Sequence, residues 1–196
     1  MRNNIFLSAL MIALISLSAF ATDAALAEKM APTHSIDYAQ SHVYFSAAHA
    51  SKAFSGEFTD WQGEVSFDPA HLGKSSIAAQ FTLSEAKTGN KMFDGTLPSA
   101  DWFDVKNHPK GVFETTKITV NAEGTYQAEG TLTLRGITLP VAFSFTVSDL
   151  AIDPVFVKAQ FEVDRLAYGI GKSSDGEAEW VSQMIGLNLE ITAHAQ

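Results

Sequence analysis

The sequence predicts an all-β fold of at least eight antiparallel strands, enough to close a barrel. Three observations carry that reading: period-two alternation over most of the chain, turn residues at regular intervals, and a single irregular segment. Alternation is clearest in four runs. Ile77, Ala79, Phe81 and Leu83 alternate with Ala78, Gln80 and Thr82. Val141, Phe143, Phe145 and Val147 alternate with Ala142, Ser144, Thr146 and Ser148. Val155, Val157, Ala159, Phe161 and Val163 alternate with Phe156, Lys158, Gln160, Glu162 and Asp164. Ile185, Leu187, Leu189 and Ile191 alternate with Gly186, Asn188, Glu190 and Thr192. Side chains of a strand point alternately to its two faces, so each run has one apolar face, as a half-buried antiparallel strand needs.

Weaker strand patterns occupy residues 42–48, 53–58, 63–67, 111–120 and 125–134. Asp68-Pro69, residues 121–124, Arg135-Gly136 and Asp153-Pro154 punctuate them as turns. Arg135-Gly136 lies between two alternating runs and predicts a tight hairpin. Residues 88–104 break the pattern, with Pro98 in their midst. They predict a short helical insertion in which Ser99 caps a turn carrying Trp102 and Phe103.

The first residues read differently. Arg2 precedes an apolar run over residues 5–20, and Ala19-Phe20-Ala21 ends it. A basic start, a short apolar stretch and an A-x-A site form a cleavable secretory signal. The run is short for a membrane span, which takes about 20 residues. Residues 1–21 are therefore expected to be removed, leaving a flexible stretch over 22–33, a domain over 34–195, a periplasmic product and no permanent membrane anchor. One domain of this size buries a core without staples. Cys 0 excludes disulfides and thiolate metal sites. Lys+Arg 13 against Asp+Glu 22 gives a net charge of −9. Without Arg2 the balance is 12 against 22, or −10. Such a surface repels phosphate backbones, so nucleic acid is not expected as a partner.

A search for catalytic groups finds little. His34, His42, His49, His71, His108 and His194 show no metal-ligand spacing, and structural or surface roles are expected for them. No G-x-S-x-G elbow occurs. Gly169-Ile170-Gly171-Lys172-Ser173 imitates a phosphate loop, but Leu166 stands where its first glycine belongs. It reads as a strand-end loop. Asp101, Asp104, Asp164 and Asp175 lie near turns, where carboxylates usually accept backbone N–H groups. No enzyme is expected, no metal, and no required cofactor.

The positive signal is the phenylalanine-rich inward face. Such a face fills a small barrel or lines a cavity, and periodicity is compatible with both. Ala79, Ala128, Gly130 and Ala159 are small inward positions that leave volume wherever nothing larger opposes them.

Several motifs also resemble a known family, the YceI-like proteins, also called polyisoprenoid-binding or lipid-binding. His34-Ser35-Ile36-Asp37 resembles the family's opening strand, and Phe54-Ser55-Gly56-Glu57-Phe58 its first hairpin. The stretch from Gly63 to Pro69 is similar to the strand and turn that follow. Ala100-Asp101-Trp102-Phe103-Asp104-Val105, with His108-Pro109 and Val112-Phe113, resembles a D-[FW]-F-D…P…F signature. Gly130-Thr131-Leu132-Thr133-Leu134-Arg135-Gly136-Ile137-Thr138-Leu139-Pro140-Val141 is similar to a G-x-L-T-[IL]-R-G-x-T-x-P-V run. Asp164-Arg165-Leu166-Ala167-Tyr168-Gly169-Ile170-Gly171, with Trp180-Val181 beyond, resembles the closing D-R-x-x-[FYW]-G-[IV]-G pattern. The resemblance implies a lipocalin-like eight-stranded antiparallel β-barrel. It also implies an elongated apolar cavity for a long-chain amphiphile, such as an isoprenoid, an isoprenoid quinone or a related lipid. Phe93 and Thr96 stand where many members carry Arg and His.

Alternation then nominates the residues that would line such a cavity: Phe45, Phe58, Phe81, Phe113, Phe143, Phe145 and Phe161, joined by Ile185, Leu187 and Leu189. Trp102 and Phe103, from the irregular insertion, are expected to close one end. Lys91 is a candidate cation at the mouth, weighed against an ordinary solvated lysine. Three function classes follow: a carrier of a hydrophobic small molecule, a solid-cored interaction module meeting a membrane electron-transfer partner transiently, and an enzyme acting on a bound amphiphile. A continuous cavity favours the first and a filled barrel the second.

Overall fold

The computed structural model describes residues 33–196. The secretory signal expected over 1–21, and the loose stretch over 22–32, lie outside the described residues. Thr33, assigned from sequence to that stretch, opens the first strand.

Among the described residues, eleven strand segments and one α-helix follow in order, with short 3-10 turns at Leu72–Lys74 and Leu83–Glu85: β1 (Thr33–Ile36), β2 (His42–His49), β3 (Lys52–Phe58), β4 (Trp61–Ser66), β5 (Ser76–Thr82), β6 (Ala86–Lys87), α1 (Lys91–Thr96), β7 (Lys110–Val120), β8 (Tyr126–Leu134), β9 (Ile137–Val147), β10 (Val155–Asp164) and β11 (Met184–Ala195). They build eight staves, because the first six segments join end to end in pairs. β1 and β2 both lie along β11, with His34 opposite Ala195 and Val43 opposite Leu189. β3 pairs with β2 while β4 pairs with β1. β5 then pairs with β4, and β6 with β3. From β7 to β11 each strand pairs with the next, and β7 also pairs with β5. Every pairing is antiparallel, and β11 closes the ring on β1 and β2. The result is an all-β, lipocalin-like eight-stranded antiparallel barrel with a short helical insertion.

The staves bend where the ladder is interrupted, and side chains repair the breaks. Between β1 and β2, the buried Ser41 hydroxyl accepts from the Thr192 N–H at 3.0 Å and donates to the Thr192 carbonyl. A register shift lies between Thr115 and Lys117 of β7. There the Thr115 hydroxyl accepts from Ile77 N–H at 2.9 Å and donates to the Ile77 carbonyl. An extra residue of this kind bends a strand and sharpens its twist, which a closed barrel requires. One seam is short: β9 and β10 pair only from Val147–Val157 to Phe145–Ala159. Beyond that point Phe143 stacks on Phe161, centroids 4.3 Å apart.

The connections gather at two ends. The β2–β3 turn, residues 88–109, the β8–β9 hairpin and residues 165–183 form the cap end. The β4–β5, β7–β8 and β9–β10 connections form the far end, beside the start of β1 and the finish of β11. Arg135 and Gly136 adopt φ of 49° and 72°, the left-handed pair of a primed two-residue hairpin, as the sequence predicts. The helical turn expected after Ser99 is instead α1, which precedes Pro98. Asn90 caps it, its side chain accepting from Met92 N–H at 2.9 Å. Asn is among the strongest capping residues, and Pro98 has no N–H with which to prolong a helix. Residues 99–104 turn back instead, with the Ser99 carbonyl accepting from the N–H groups of Trp102 and Asp104.

Candidate functional site

An apolar cavity of about 210 Å³ runs through the barrel. Its wall is built by the inward half of each alternating strand. Val155, Val157, Ala159, Phe161 and Val163 of β10 all line it, so it extends about 25 Å along that strand at the usual rise per residue. At the far end the wall includes His34, Leu150 and Ala193, and at the cap end Trp102, Tyr168 and Ile170. A volume this small over such a length describes a slot. It suits an extended chain better than a compact molecule.

All twelve lining residues nominated from the sequence line this cavity. Alternation placed the ten strand residues, and the insertion folds Trp102 and Phe103 over the cap end. The small inward positions divide. Ala79 and Ala159 line the cavity. Gly130 does not add space, because a Cβ there would meet the Glu114 carbonyl at 2.3 Å and the Phe113 ring at 2.9 Å. Ala128 is fully buried but is not part of the wall. Lys91 is exposed on the first turn of α1 and does not line the cavity either. Phe93 packs on Phe54 and His49, with centroids 5.0 and 5.4 Å away. The Thr96 hydroxyl donates to the Met92 carbonyl. Neither position carries a polar group into the cavity.

The cap end is held by a polar framework that meets the cavity wall at Arg165. Arg165 is 1% exposed and pairs with Asp175 at 2.6 Å. Its Nε donates to the Ser182 carbonyl, Nη1 to Ile170 and Nη2 also to Val181. Its guanidinium carbon lies 5.6 Å from the Trp102 ring centroid. A buried charge needs such complete pairing to be tolerated. Burial raises the Asp175 carboxyl, but N–H groups of Val181 and Trp180, and Arg165 beside it, hold it below the usual range. Asp101 ties the insertion to residues 165–183: its carboxylate accepts from Ser173 N–H, Ser174 N–H and the Ser174 hydroxyl. Burial acts upward on Asp101 too, yet these bonds prevail and lower its pKa from 3.8 to about 2. In the segment that imitates a phosphate loop, the Ser173 amide thus donates to a carboxylate of its own chain, and the amides of Gly169, Ile170 and Gly171 donate to backbone carbonyls. Arg135 adds a third tie, donating to the carbonyls of Gly169 and Ala100.

His34 lines the cavity, whereas several other acidic and histidine residues nominated for scrutiny occupy turns and surface pairs. Asp164 accepts from Leu166 N–H and Asp104 from the Asn107 side chain. His42, His71 and His194 pair with Glu57, Asp68 and Asp153. Among the described residues, no three His, Asp or Glu side chains converge as a metal site would require. Sequence reasoning missed the Arg165–Asp175 pair and the place of Tyr168 and His34 in the wall. The D-R-x-x-Y-G stretch marks Arg165 and Tyr168 as positions, but a motif gives no burial.

Fold and cavity together define an up-and-down β-barrel with an apolar interior, the architecture of small hydrophobic-ligand binders. Residues 34–194 match the YceI-like domain, and the chain belongs to that family. It is 32% identical over 145 residues to a UPF0312 protein of Pseudomonas savastanoi pv. phaseolicola, an alignment covering 71% of this chain and 76% of that one. Its fold is similar to BcnA of Burkholderia cenocepacia, with a TM-score of 0.76 and 23% identity over 81% of this chain and 99% of that one. It is also similar to a polyisoprenoid binding domain from Saccharophagus degradans implicated in plant cell wall breakdown. There the TM-score is 0.66 and the identity 14%, over 84% of this chain and 99% of that one.

Proposed function

We propose that this protein is a periplasmic carrier for a long-chain amphiphile, an isoprenoid, an isoprenoid quinone or a related lipid. The observation that carries the reading is the continuous apolar slot from His34 to Ile170. Removing hydrocarbon from water is worth roughly 0.8 kcal/mol per CH₂, so an extended chain in that slot gains affinity with each carbon enclosed. The twelve residues from Phe45 to Leu189 named above serve as the chain-binding wall. The fold similarity to a polyisoprenoid binding domain supports the same class of ligand. The apolar run and A-x-A site of residues 1–21 support export. The ligand is cargo, and no group is needed for chemistry.

Trp102 lines the cavity and reports on its contents. Titrating the purified protein with an isoprenoid quinone is expected to quench tryptophan fluorescence to saturation at one equivalent, and Trp102→Phe is expected to remove most of that quenching. Quenching that never saturates would reject the carrier reading.

A further inference from the structure

A chain that fills the slot needs a way into it, and both ends of the barrel are covered. At the cap end Trp102 and Phe103 fold over the cavity, held by the Asp101 carboxylate and the Arg135 guanidinium. At the far end Leu150 lines the cavity from the β9–β10 connection, where Asp153 pairs with His194 and accepts from the Ala195 N–H. The side wall has a weaker place. β9 pairs with β8 at every position from Ile137 to Phe145, and β10 with β11 from Val155 to Asp164. Between themselves β9 and β10 share only the three register positions that end at Phe145–Ala159, the shortest ladder between staves of the ring. Residues 137–143 and 161–164 are thus two neighbouring edges without a ladder between them. Pro140 on the first edge has no N–H to offer a partner, and prolines within sheets keep to such edges.

From this arrangement we infer that the cargo's chain enters and leaves sideways, through the seam between β9 and β10, and that the stack of Phe143 on Phe161 is its latch. The inference rests on the carrier reading and adds the route to the site. Val141 and Phe143 on one edge, and Phe161 and Val163 on the other, all line the cavity, so parting the edges opens the slot along its side. Parting them breaks no register pair, because each strand stays laddered to its outer neighbour. What spans the seam is the ring stack, with centroids 4.3 Å apart and planes 10° from parallel. One aromatic pair costs less to separate than the run of backbone hydrogen bonds that any other seam would have to give up. Sideways entry also leaves a polar end group in water while the hydrocarbon goes in, so no charge has to be threaded through the apolar wall.

The test locks the seam. With Cys 0 in the chain, any disulfide is the one introduced. The β9–β10 register, carried past the Phe143–Phe161 stack, sets the exposed Ala142 opposite the exposed Glu162. Ala142→Cys with Glu162→Cys is compared in its oxidised and reduced forms. Ala142→Cys with Glu129→Cys, a register pair of the laddered β8–β9 seam, is the control. Stopped-flow tryptophan quenching by a long-chain isoprenoid quinone, delivered from cyclodextrin, reads the rates. Oxidising the first pair is expected to slow uptake and release alike by roughly ten-fold or more, because both need the same local opening, and to leave Kd unchanged. Oxidising the control pair is expected to change neither rate. Phe143→Leu is expected to speed uptake by roughly two- to ten-fold, the value of one aromatic pair. Equal rates in the oxidised and reduced first pair overturn the inference and leave the carrier reading intact, as does equal slowing by the control bridge. A first pair that will not oxidise overturns it too, since latched edges stand close enough to join. Uptake by Phe143→Leu at the wild-type rate removes the latch. Wild type that binds no quinone removes the carrier reading, and the route with it.

Discussion

At the scale of single residues, the cap end depends on carboxylates whose ionised form the fold favours. Asp101 is the clearest case. Its pKa falls from 3.8 to about 2 because three donors from Ser173 and Ser174 converge on it. A depressed folded-state pKa stabilises the protein fully above the unfolded value. That contribution is lost as the pH falls through the folded value. The window here runs from about pH 4 down to about pH 2. Asp101→Asn is therefore expected to lower the thermal midpoint at pH 6, and the gap to wild type is expected to narrow below pH 4. A gap that stays constant from neutral pH down to pH 2 would show that the charge of Asp101 contributes nothing. None of this is legible in the sequence. Asp101 reads as one more turn carboxylate until Ser173 and Ser174, far along the chain, are placed against it. Arg165 is hidden for the same reason, since its burial depends on residues 170–182 folding over it.

At the scale of elements, alternation is the strongest signal, and it places the phenylalanines correctly because a strand has only two faces. It fails where geometry is set by neighbours. β1, β2 and β11 share a seam that depends on the Ser41 hydroxyl, and no local pattern announces it. Sequence alone puts the helix past Pro98 on the strength of Ser99 as a cap, whereas in the structure Asn90 caps it before Pro98. Glycines separate the two kinds of constraint. In β8, a Cβ on Gly130 would meet the Glu114 carbonyl at 2.3 Å, a backbone atom that cannot yield without disturbing the β7–β8 ladder. In α1, a Cβ on Gly95 would find nothing within 4 Å. Gly130→Ala is expected to destabilise by about 1–3 kcal/mol through overpacking. Gly95→Ala is expected to be neutral or to stabilise by up to about 1 kcal/mol through helix propensity. Urea denaturation of both variants checks the pair, and equal midpoints would contradict the assigned contacts.

At the scale of the whole molecule, periodicity leaves open whether the inward face fills the barrel or lines a space. Side-chain packing answers it. Phe113 takes the room beside Gly130, while Ala79 and Ala159 leave theirs to the cavity. Polar ties at the cap end keep Trp102 and Phe103 folded over the slot while the one guanidinium in its wall stays fully paired. The family resemblance anticipates the barrel, whereas the burial and complete pairing of Arg165 emerge only in the packed structure. The central claim is that the slot carries a long-chain amphiphile. Native mass spectrometry of the gently purified protein, followed by solvent extraction and lipid identification, tests it most directly. The account predicts one long-chain amphiphile per chain, released intact on extraction. A protein that flies ligand-free, and stays so after exposure to quinones, isoprenoids and fatty acids, would contradict it.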